Sequence, residues 1–253
     1  MKNSAFTKGT KTYDAYRQLY SPDALNFIKT RIGLNAKTRL LDLACGTGLV
    51  LREFLGTAVL TCGIDLSIPM LTVTRDNYRD VVAGLAQGRA ERLPFAARAF
   101  TAITVGQAIH WFDLPEFVAE VRRVLEPGGW LVVISKYPSP TEPIRPLYEY
   151  IRSTFCADSL RLTQATSLGD IAGIAAEGFG NRERVVFEQV IETPLDVYVS
   201  NTLHSPDLDA LDEVARAEFA RQFSAALRRH AVNGMLREQY FNYVLAYQCM
   251  KPA

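Results

Sequence analysis

The sequence predicts an α/β fold, in which a doubly wound, mostly parallel sheet carries helices on both faces. Short apolar runs alternate along the chain with segments whose apolar residues recur at helical spacing, which is typical of strands joined by crossover helices. A glycine turn, Gly46-Thr47-Gly48, directly follows the first apolar run. Because crossover helices cover both sides of a parallel sheet, the alternation favours this architecture.

The first elements follow from apolar runs and their boundaries. Residues 39–44 form an apolar run that predicts the first strand, and the spacing over 49–55 predicts a helix after the turn. A second run, 58–64, ends at Asp65, and Ser67 is placed to cap the next helix. The unit is therefore strand, helix, strand.

The later elements are predicted in the same way. Residues 102–105 and 130–134 predict strands, separated by a helix over 115–125 that Pro127-Gly128-Gly129 ends. The remaining elements are a helix near 163–177, a strand near 184–191, a helix over 208–230 and a last strand near 240–250. Because two strands with a helical insertion between them follow the parallel run, one domain fits better than two.

The segment 136–146 holds four of the twelve prolines and is predicted to lack regular structure. An interdomain linker and the wall of an active site are both compatible with this composition. The segment follows the carboxyl end of a predicted strand, where open α/β sheets place ligand-binding loops. The wall of an active site is therefore favoured.

Composition excludes several classes of protein. The chain has 253 residues with 28 Lys and Arg against 27 Asp and Glu, so the strongly basic surface of a nucleic-acid binder is not expected. No apolar stretch suits a leader or a membrane span, which predicts a cytoplasmic protein. The spacing of the four cysteines and three histidines predicts no metal site.

The glycine turn is the most informative motif, because glycines let a ligand approach the backbone closely. The turn lacks the third glycine of a dinucleotide fingerprint, where Leu51 stands, and it lacks a Walker lysine. The stretch 40–48 resembles the first motif of the class I S-adenosylmethionine-dependent methyltransferases. This resemblance implies a Rossmann-like, seven-stranded sheet with an antiparallel last strand. It also implies one domain over 1–253, with an N-terminal lid (about 1–35) and a helical insertion near 195–235 that caps the substrate.

The resemblance continues in order through most of the first 135 residues and implies a cofactor site. Asp42 would lie near the cationic methionine end, Asp65 would bind the ribose hydroxyls, and the segment 88–95 would surround the adenine. The implied cofactor is S-adenosylmethionine, with S-adenosylhomocysteine as product and no metal. The implied cofactor-binding residues are Tyr13, Arg17, Asp42, Ala44, Gly46, Gly48, Asp65, Leu66, Met70, Ala90, Glu91 and Gln107.

The segment 106–113 resembles that of the small-molecule methyltransferases similar to trans-aconitate methyltransferase. It implies that His110 and Trp111 approach the transferred methyl group, His110 as a proton acceptor and Trp111 through its aromatic face. Both side chains have the alternative role of packing residues at a helix start. The residues predicted to contact the methyl acceptor are Tyr20, His110, Trp111, Lys136, Tyr137 and Arg145.

The function predicted from the sequence is methyl transfer from S-adenosylmethionine to an O, N or C atom of a small metabolite. No nucleic-acid or membrane partner is expected. The sequence does not indicate how many copies of the chain associate. Two alternatives stay open: a cofactor-binding protein that acts through a partner without transferring methyl groups, and a dinucleotide-dependent oxidoreductase. Leu51 disfavours the second alternative, because a glycine is needed there.

Overall fold

The computed structural model describes residues 20–58, 60–139, 143–155, 178–203, 208 and 211–250. These residues form two compact units. The sheet unit comprises residues 20–136, 178–187 and 242–250, and the helical unit comprises the described residues of 137–155 and 188–241.

Seven strands form one sheet in the order β3-β2-β1-β4-β5-β7-β6. They are β1 (Arg39–Leu43), β2 (Leu60–Asp65), β3 (Gly84–Gln87), β4 (Phe100–Gly106), β5 (Leu125–Pro138), β6 (Phe179–Pro194) and β7 (Met235–Cys249). The strand β1 lies between β2 and β4 and is parallel to both. The pairs β2 with β3 and β4 with β5 are also parallel, whereas β7 is antiparallel. The predicted fold class is confirmed.

Six helices are described, and three of them begin with a side chain that caps the helix. They are α1 (Pro22–Arg31), α2 (Ile68–Tyr78), α3 (Leu114–Val124), α4 (Ile144–Phe155), α5 (Leu195–Leu203) and α6 (Glu213–Leu227). The Ser67 hydroxyl accepts a hydrogen bond from the Met70 N–H at 3.4 Å, as its predicted capping role requires. Asp113 caps α3 by accepting from the Glu116 N–H at 3.2 Å.

Both faces of the sheet unit are buried. On one face, Leu41 and Leu43 of β1 pack in a cluster with α3, whose residues Phe117 and Val121 are fully buried. On the other face, Leu40 packs in a cluster with Ala24 and Ile28 of α1. Because successive side chains of a strand point to opposite faces, an unbroken apolar run is what a strand covered on both sides needs.

The helix predicted over 49–55 is wrong. Only a 3-10 turn, Leu51–Phe54, forms there. The segment is confined between Gly48 and Gly56, which have φ values of +87° and +77°. The seven residues between these two left-handed glycines make less than two helical turns, which is too short for a regular helix. Their apolar residues Leu51 and Phe54 are nevertheless buried.

The prediction that residues 136–146 lack regular structure is also wrong for most of that segment. The strand β5 continues to Pro138, and α4 begins at Ile144 with Pro146 in its first turn. Proline is tolerated at a strand end and in the first turn of a helix, where its missing N–H is not needed. The four-residue strand β3 was not predicted from the sequence. The helix predicted near 163–177 lies outside the described residues.

The helical unit has a core of its own. Phe219, Phe223 and Leu227 of α6 are fully buried and pack with Ile151 of α4 and Val199 of α5. The helices α5 and α6 lie in the segment where the helical insertion was predicted, and its role as a substrate cap stays a prediction. Within the described residues, no helix is long and apolar enough to cross a membrane.

Candidate functional site

The carboxyl ends of β1 and β4 carry an unusual backbone conformation. The two strands pair directly, with Leu43 opposite Val105. Just beyond them, Ala44 has φ +50° and Gln107 has φ +54°, both in the left-handed region. Non-glycine residues adopt this conformation rarely, and such residues cluster at functional sites. Because open α/β sheets bind ligands at their carboxyl edge, this edge is the candidate site.

The two glycines of the turn after β1 have different neighbours. Gly46 has φ +57°, and a Cβ atom built on it would meet nothing within 4 Å. Gly48 has φ +87°, and its Cβ would lie 2.9 Å from Cε2 of Tyr78 and 3.1 Å from Cγ2 of Thr74. Gly48 therefore lets the turn pack on α2, whereas Gly46 borders open space.

Asp65, at the end of β2, fixes the turn from the neighbouring strand. Its Oδ2 accepts a hydrogen bond from the Gly46 N–H at 2.8 Å, and its Oδ1 accepts from the Ser67 N–H at 2.7 Å. Burial raises the pKa of Asp65 above its ordinary value, although these backbone hydrogen bonds oppose the shift. The Thr74 hydroxyl donates to the Gly46 carbonyl at 2.7 Å, which ties the turn to α2 as well.

Asp42, within β1, is a second and more deeply buried carboxylate. Its side chain accepts a hydrogen bond from the Thr104 hydroxyl at 2.7 Å, and the residue is 1% exposed. Burial raises its pKa to about 7, the Thr104 hydrogen bond opposes that rise, and the charge of Asp65 adds to it. Two acidic groups thus lie near the same turn, where a ligand with positive charge would stabilise both as carboxylates.

One hydroxyl in the turn has no partner. Thr47 is 2% exposed, and its buried Oγ1 makes no hydrogen bond. A buried hydroxyl without a partner costs about 1–3 kcal/mol. The turn therefore keeps a buried hydroxyl whose hydrogen-bonding capacity is not used.

The segment after β3 was predicted to surround the adenine. The Gly88 N–H donates to the Asp65 carbonyl at 3.1 Å, so the segment starts beside β2. Ala90 is buried, and the Glu91 carboxylate accepts from the Asp113 N–H at 3.1 Å and from Arg89 Nε at 3.4 Å. Both oxygens of Glu91 thus bind donors of the protein itself.

The end of β4 is closely packed by an aromatic residue from before α1. A Cβ atom on Gly106 would lie 2.6 Å from Cγ2 of Val50 and 3.1 Å from the Tyr20 hydroxyl. Lys136 Nζ lies 6.0 Å from the centre of the Tyr20 ring. The Gln107 side chain donates from Nε2 to the Lys136 carbonyl at 2.7 Å. Tyr20, Gln107 and Lys136 therefore meet at the carboxyl ends of β4 and β5.

His110 and Trp111 form a short 3-10 turn, Ile109–Trp111, after β4. Their ring centres are 4.8 Å apart, and Trp111 is 42% exposed. Burial lowers the pKa of His110 below its ordinary value, so the imidazole is neutral at pH 7. A neutral imidazole can accept a proton.

The structure places the other predicted residues as follows. Leu66 is 37% exposed beside the turn's partner Asp65, whereas Met70 is buried. Tyr137 and Arg145 belong to the helical unit, where Arg145 Nε pairs with Glu149 of α4 at 3.1 Å. Tyr13 and Arg17 lie outside the described residues.

Sequence reasoning missed two polar residues of the site, Thr47 and Thr104. Thr104 is fully buried in β4, opposite Asp42 in the register of the two parallel strands. Knowing which residues of β1 and β4 lie opposite each other would have placed Asp42 beside Thr104. The sequence alone does not determine this register. Thr47 carries no signal beyond its place between two glycines.

Comparison with known proteins places these elements in a family context. A family model described as a methyltransferase domain matches residues 41–133. An uncharacterized methyltransferase of Mycobacterium tuberculosis is 32% identical over 130 residues, 51% of either chain. Demethylmenaquinone methyltransferase of Staphylococcus aureus is 30% identical over 150 residues, 55% of this chain and 61% of that relative. The chain thus spans about half the length of these curated relatives.

Solved structures share the fold. A putative methyltransferase of Bacillus halodurans superposes with a TM-score of 0.60 at 20% identity, covering 90% of this chain and 99% of that one. Phosphoethanolamine N-methyltransferase 2 of Haemonchus contortus, solved with S-adenosylhomocysteine, superposes with a TM-score of 0.59 at 18% identity. That match covers 98% of this chain and 58% of the other.

Proposed function

We propose that the chain, whose residues 41–133 match a methyltransferase domain, is a class I S-adenosylmethionine-dependent methyltransferase. In this proposal it transfers a methyl group from S-adenosylmethionine to a small-molecule acceptor. The observation that carries the proposal is the bond from the Gly46 N–H, in a turn that borders open space, to Asp65, whose charge also acts on the buried Asp42. The family match ends at residue 133, before three of the predicted acceptor contacts, Lys136, Tyr137 and Arg145.

The residues present fit this cofactor. Bound S-adenosylmethionine supplies the methyl group on a sulfonium cation, and two neighbouring carboxylates suit a cation. Each Asp65 oxygen already accepts one backbone N–H, and a carboxylate oxygen has room for a second donor, here a ribose hydroxyl. The missing Cβ at Gly46 leaves space for a ligand against the backbone, and the Thr47 hydroxyl lacks a partner. These features are those expected of a binding site for a nucleoside that carries a positive charge.

The residues at the carboxyl ends of β4 and β5 have a positioning role in this proposal. Tyr20 packs beside Gly106, while Gln107 fixes the backbone of Lys136. The aromatic faces of Tyr20 and Trp111 would exclude water and attract the sulfonium. Methyl transfer is an in-line displacement, so alignment of donor and acceptor is the main contribution that the protein must make.

His110 would accept a proton where the acceptor is a hydroxyl or an amine. Its lowered pKa keeps the imidazole neutral, which is the form that can act as a base. A carboxylate acceptor would need no base. The remaining acceptor contacts, Lys136, Tyr137 and Arg145, stay predictions.

The test is transfer of isotopically labelled methyl from S-adenosylmethionine into an extract of the source organism, separated into small molecules, protein and nucleic acid. Label in the small-molecule fraction, lost with the Asp65→Ala variant, is the expected result. Label in protein or nucleic acid would overturn the acceptor class. Tight binding of S-adenosylhomocysteine without any transfer would favour the alternative of a non-catalytic cofactor-binding protein.

The variant needs its own check, because Asp65 also fixes the turn through the Gly46 and Ser67 N–H groups. A melting temperature close to that of the parent protein shows that lost transfer reflects the site. The Asp65→Asn variant is the milder substitution, since its amide keeps one acceptor oxygen for the backbone and lacks the charge. It should also lose transfer, because it is expected to weaken cofactor binding.

A further inference from the structure

Glu91 joins the segment after β3 to the start of α3. Its Oε1 accepts a hydrogen bond from the Asp113 N–H at 3.1 Å, and its Oε2 accepts from Arg89 Nε at 3.4 Å. The side chain of Glu91 is 4% exposed, whereas that of Arg89 is 54% exposed. A carboxylate so deeply enclosed has little surface left for a bound ligand.

The donor in this bond is placed at a junction. Asp113 directly follows His110, Trp111 and Phe112, and it is the N-cap of α3. Its own carboxylate serves the helix, so its N–H is the group that remains for an outside partner. The bond from Glu91 therefore holds the backbone where the short turn ends and the helix begins.

Other bonds between the same two segments lie farther along α3. Glu120 accepts from the Leu93 N–H at 2.6 Å, and Arg123 donates to the carbonyls of Leu93 and Phe95 at 3.0 and 2.7 Å. These bonds fix the middle and the end of α3. Of these hydrogen bonds between the two segments, all of them in the described part of the chain, the Glu91 bond is the one next to the turn.

We propose that Glu91 is a positioning residue that holds the His110–Trp111 turn against the segment 88–92, rather than a residue that binds the adenine through its carboxylate. The segment expected to receive the cofactor and the turn expected to face the acceptor are thereby joined through one buried carboxylate. That the segment receives the cofactor and the turn faces the acceptor rests on the proposed function. That Glu91 holds the turn in place does not depend on it.

The test uses Trp111 as a reporter. The chain has two tryptophans, and Trp130→Phe leaves Trp111 as the single emitter. Acrylamide quenching of the cofactor-free protein then measures how accessible Trp111 is. Trp111 is 42% exposed, so complete release of the turn would raise the quenching constant about twofold.

Glu91→Ala is expected to raise the quenching constant toward that limit, because it removes the acceptor for the Asp113 N–H. Glu91→Gln is the matched control: its amide oxygen can still accept the bond, so quenching should stay at the parent value. Unchanged quenching in Glu91→Ala, or equal increases in both variants, would overturn the proposal.

A second pair of variants removes the donor and covers the case in which Glu91→Ala does not fold. Asp113 has φ −72° and Phe112 has ψ 147°, which a proline at 113 accepts without strain. Asp113→Pro removes both the N–H and the cap, whereas Asp113→Ala removes the cap alone. Higher quenching in the proline variant than in the alanine variant supports the proposal, and equal quenching contradicts it.

Binding of S-adenosylhomocysteine by calorimetry separates this role from direct adenine contact. The proposal predicts that Glu91→Gln changes the dissociation constant less than about threefold. A loss of tenfold or more in Glu91→Gln with unaltered quenching would make Glu91 a cofactor ligand and overturn the proposal. Absence of binding by the parent protein would defeat the proposed function alone, since the quenching result is obtained without cofactor.

Discussion

Binding of a sulfonium cofactor is predicted to release a proton from Asp42. Burial raises the pKa of Asp42 to about 7 in the structure without cofactor, so about half of the molecules carry a proton on this group at pH 7. The groups that face it are the Thr104 hydroxyl, the Leu51 N–H, the acidic Asp65 and the Cys45 thiol. Burial raises the pKa of the Cys45 thiol well above its ordinary value. A cation placed among them favours ionised Asp42, which lowers its pKa in the complex.

The size of the effect follows from this pKa. Proton release should be about 0.5 per cofactor at pH 7, about 0.9 at pH 6 and about 0.1 at pH 8, because the protonated fraction falls in that order. The affinity for S-adenosylmethionine should correspondingly weaken about tenfold from pH 8 to pH 6.

Calorimetric titration in buffers with different enthalpies of ionisation measures the number of protons released. The Asp42→Asn variant is the control, since it keeps an oxygen for the Thr104 hydroxyl and has no proton to lose. Subtracting its value removes the ionisation of the cofactor's own amino group. An equal number of protons released by parent and variant at pH 6 and pH 7 would refute the reasoning.

Three glycine substitutions should have different consequences. Gly48→Ala should lower the free energy of unfolding by about 2–4 kcal/mol in chemical denaturation, because strain at φ +87° adds to contact with Tyr78. Gly46→Ala should lower the free energy of unfolding by only about 1–2 kcal/mol, from backbone strain, yet it should weaken S-adenosylhomocysteine binding in calorimetry. Unaltered affinity would exclude a ligand over this turn. Gly106→Ala should lower the melting temperature through contact with Val50, and Val50→Ala should restore part of it; no recovery in the double variant would contradict this packing.

The fold and the contact between the glycine turn and Asp65 depend on local patterns, which is why the fold was predicted and the turn was singled out. Apolar runs predicted the central strands, and the glycine turn and Asp65 lie at the ends of β1 and β2, where the sequence predicted a ligand site. The predicted helix over 49–55 failed because its length is limited by two glycines that the spacing of apolar residues does not register. The role of Glu91 depends on the Asp113 N–H, a backbone group 22 residues away that side-chain chemistry does not reveal.

The acceptor side was less predictable for a physical reason. The prolines after residue 136 predicted an irregular segment at the active site. In the structure Pro138 ends β5 and Pro146 lies in the first turn of α4, positions where no backbone N–H is required. Residues predicted to contact the acceptor fall in both units: Tyr20 and Lys136 lie in the sheet unit, and Tyr137 and Arg145 in the helical unit. Local patterns do not encode which residues of distant segments share a site.

The central claim, that the Asp42 and Asp65 turn binds an S-adenosyl nucleoside, is tested most directly by calorimetric titration of the full chain with S-adenosylhomocysteine, with NADH in a parallel titration. One molecule of S-adenosylhomocysteine per chain, weakened at least tenfold by Asp65→Asn in a protein that melts like the parent, is the predicted result. No heat of binding with S-adenosylhomocysteine, or saturable binding of NADH in its place, would contradict the account.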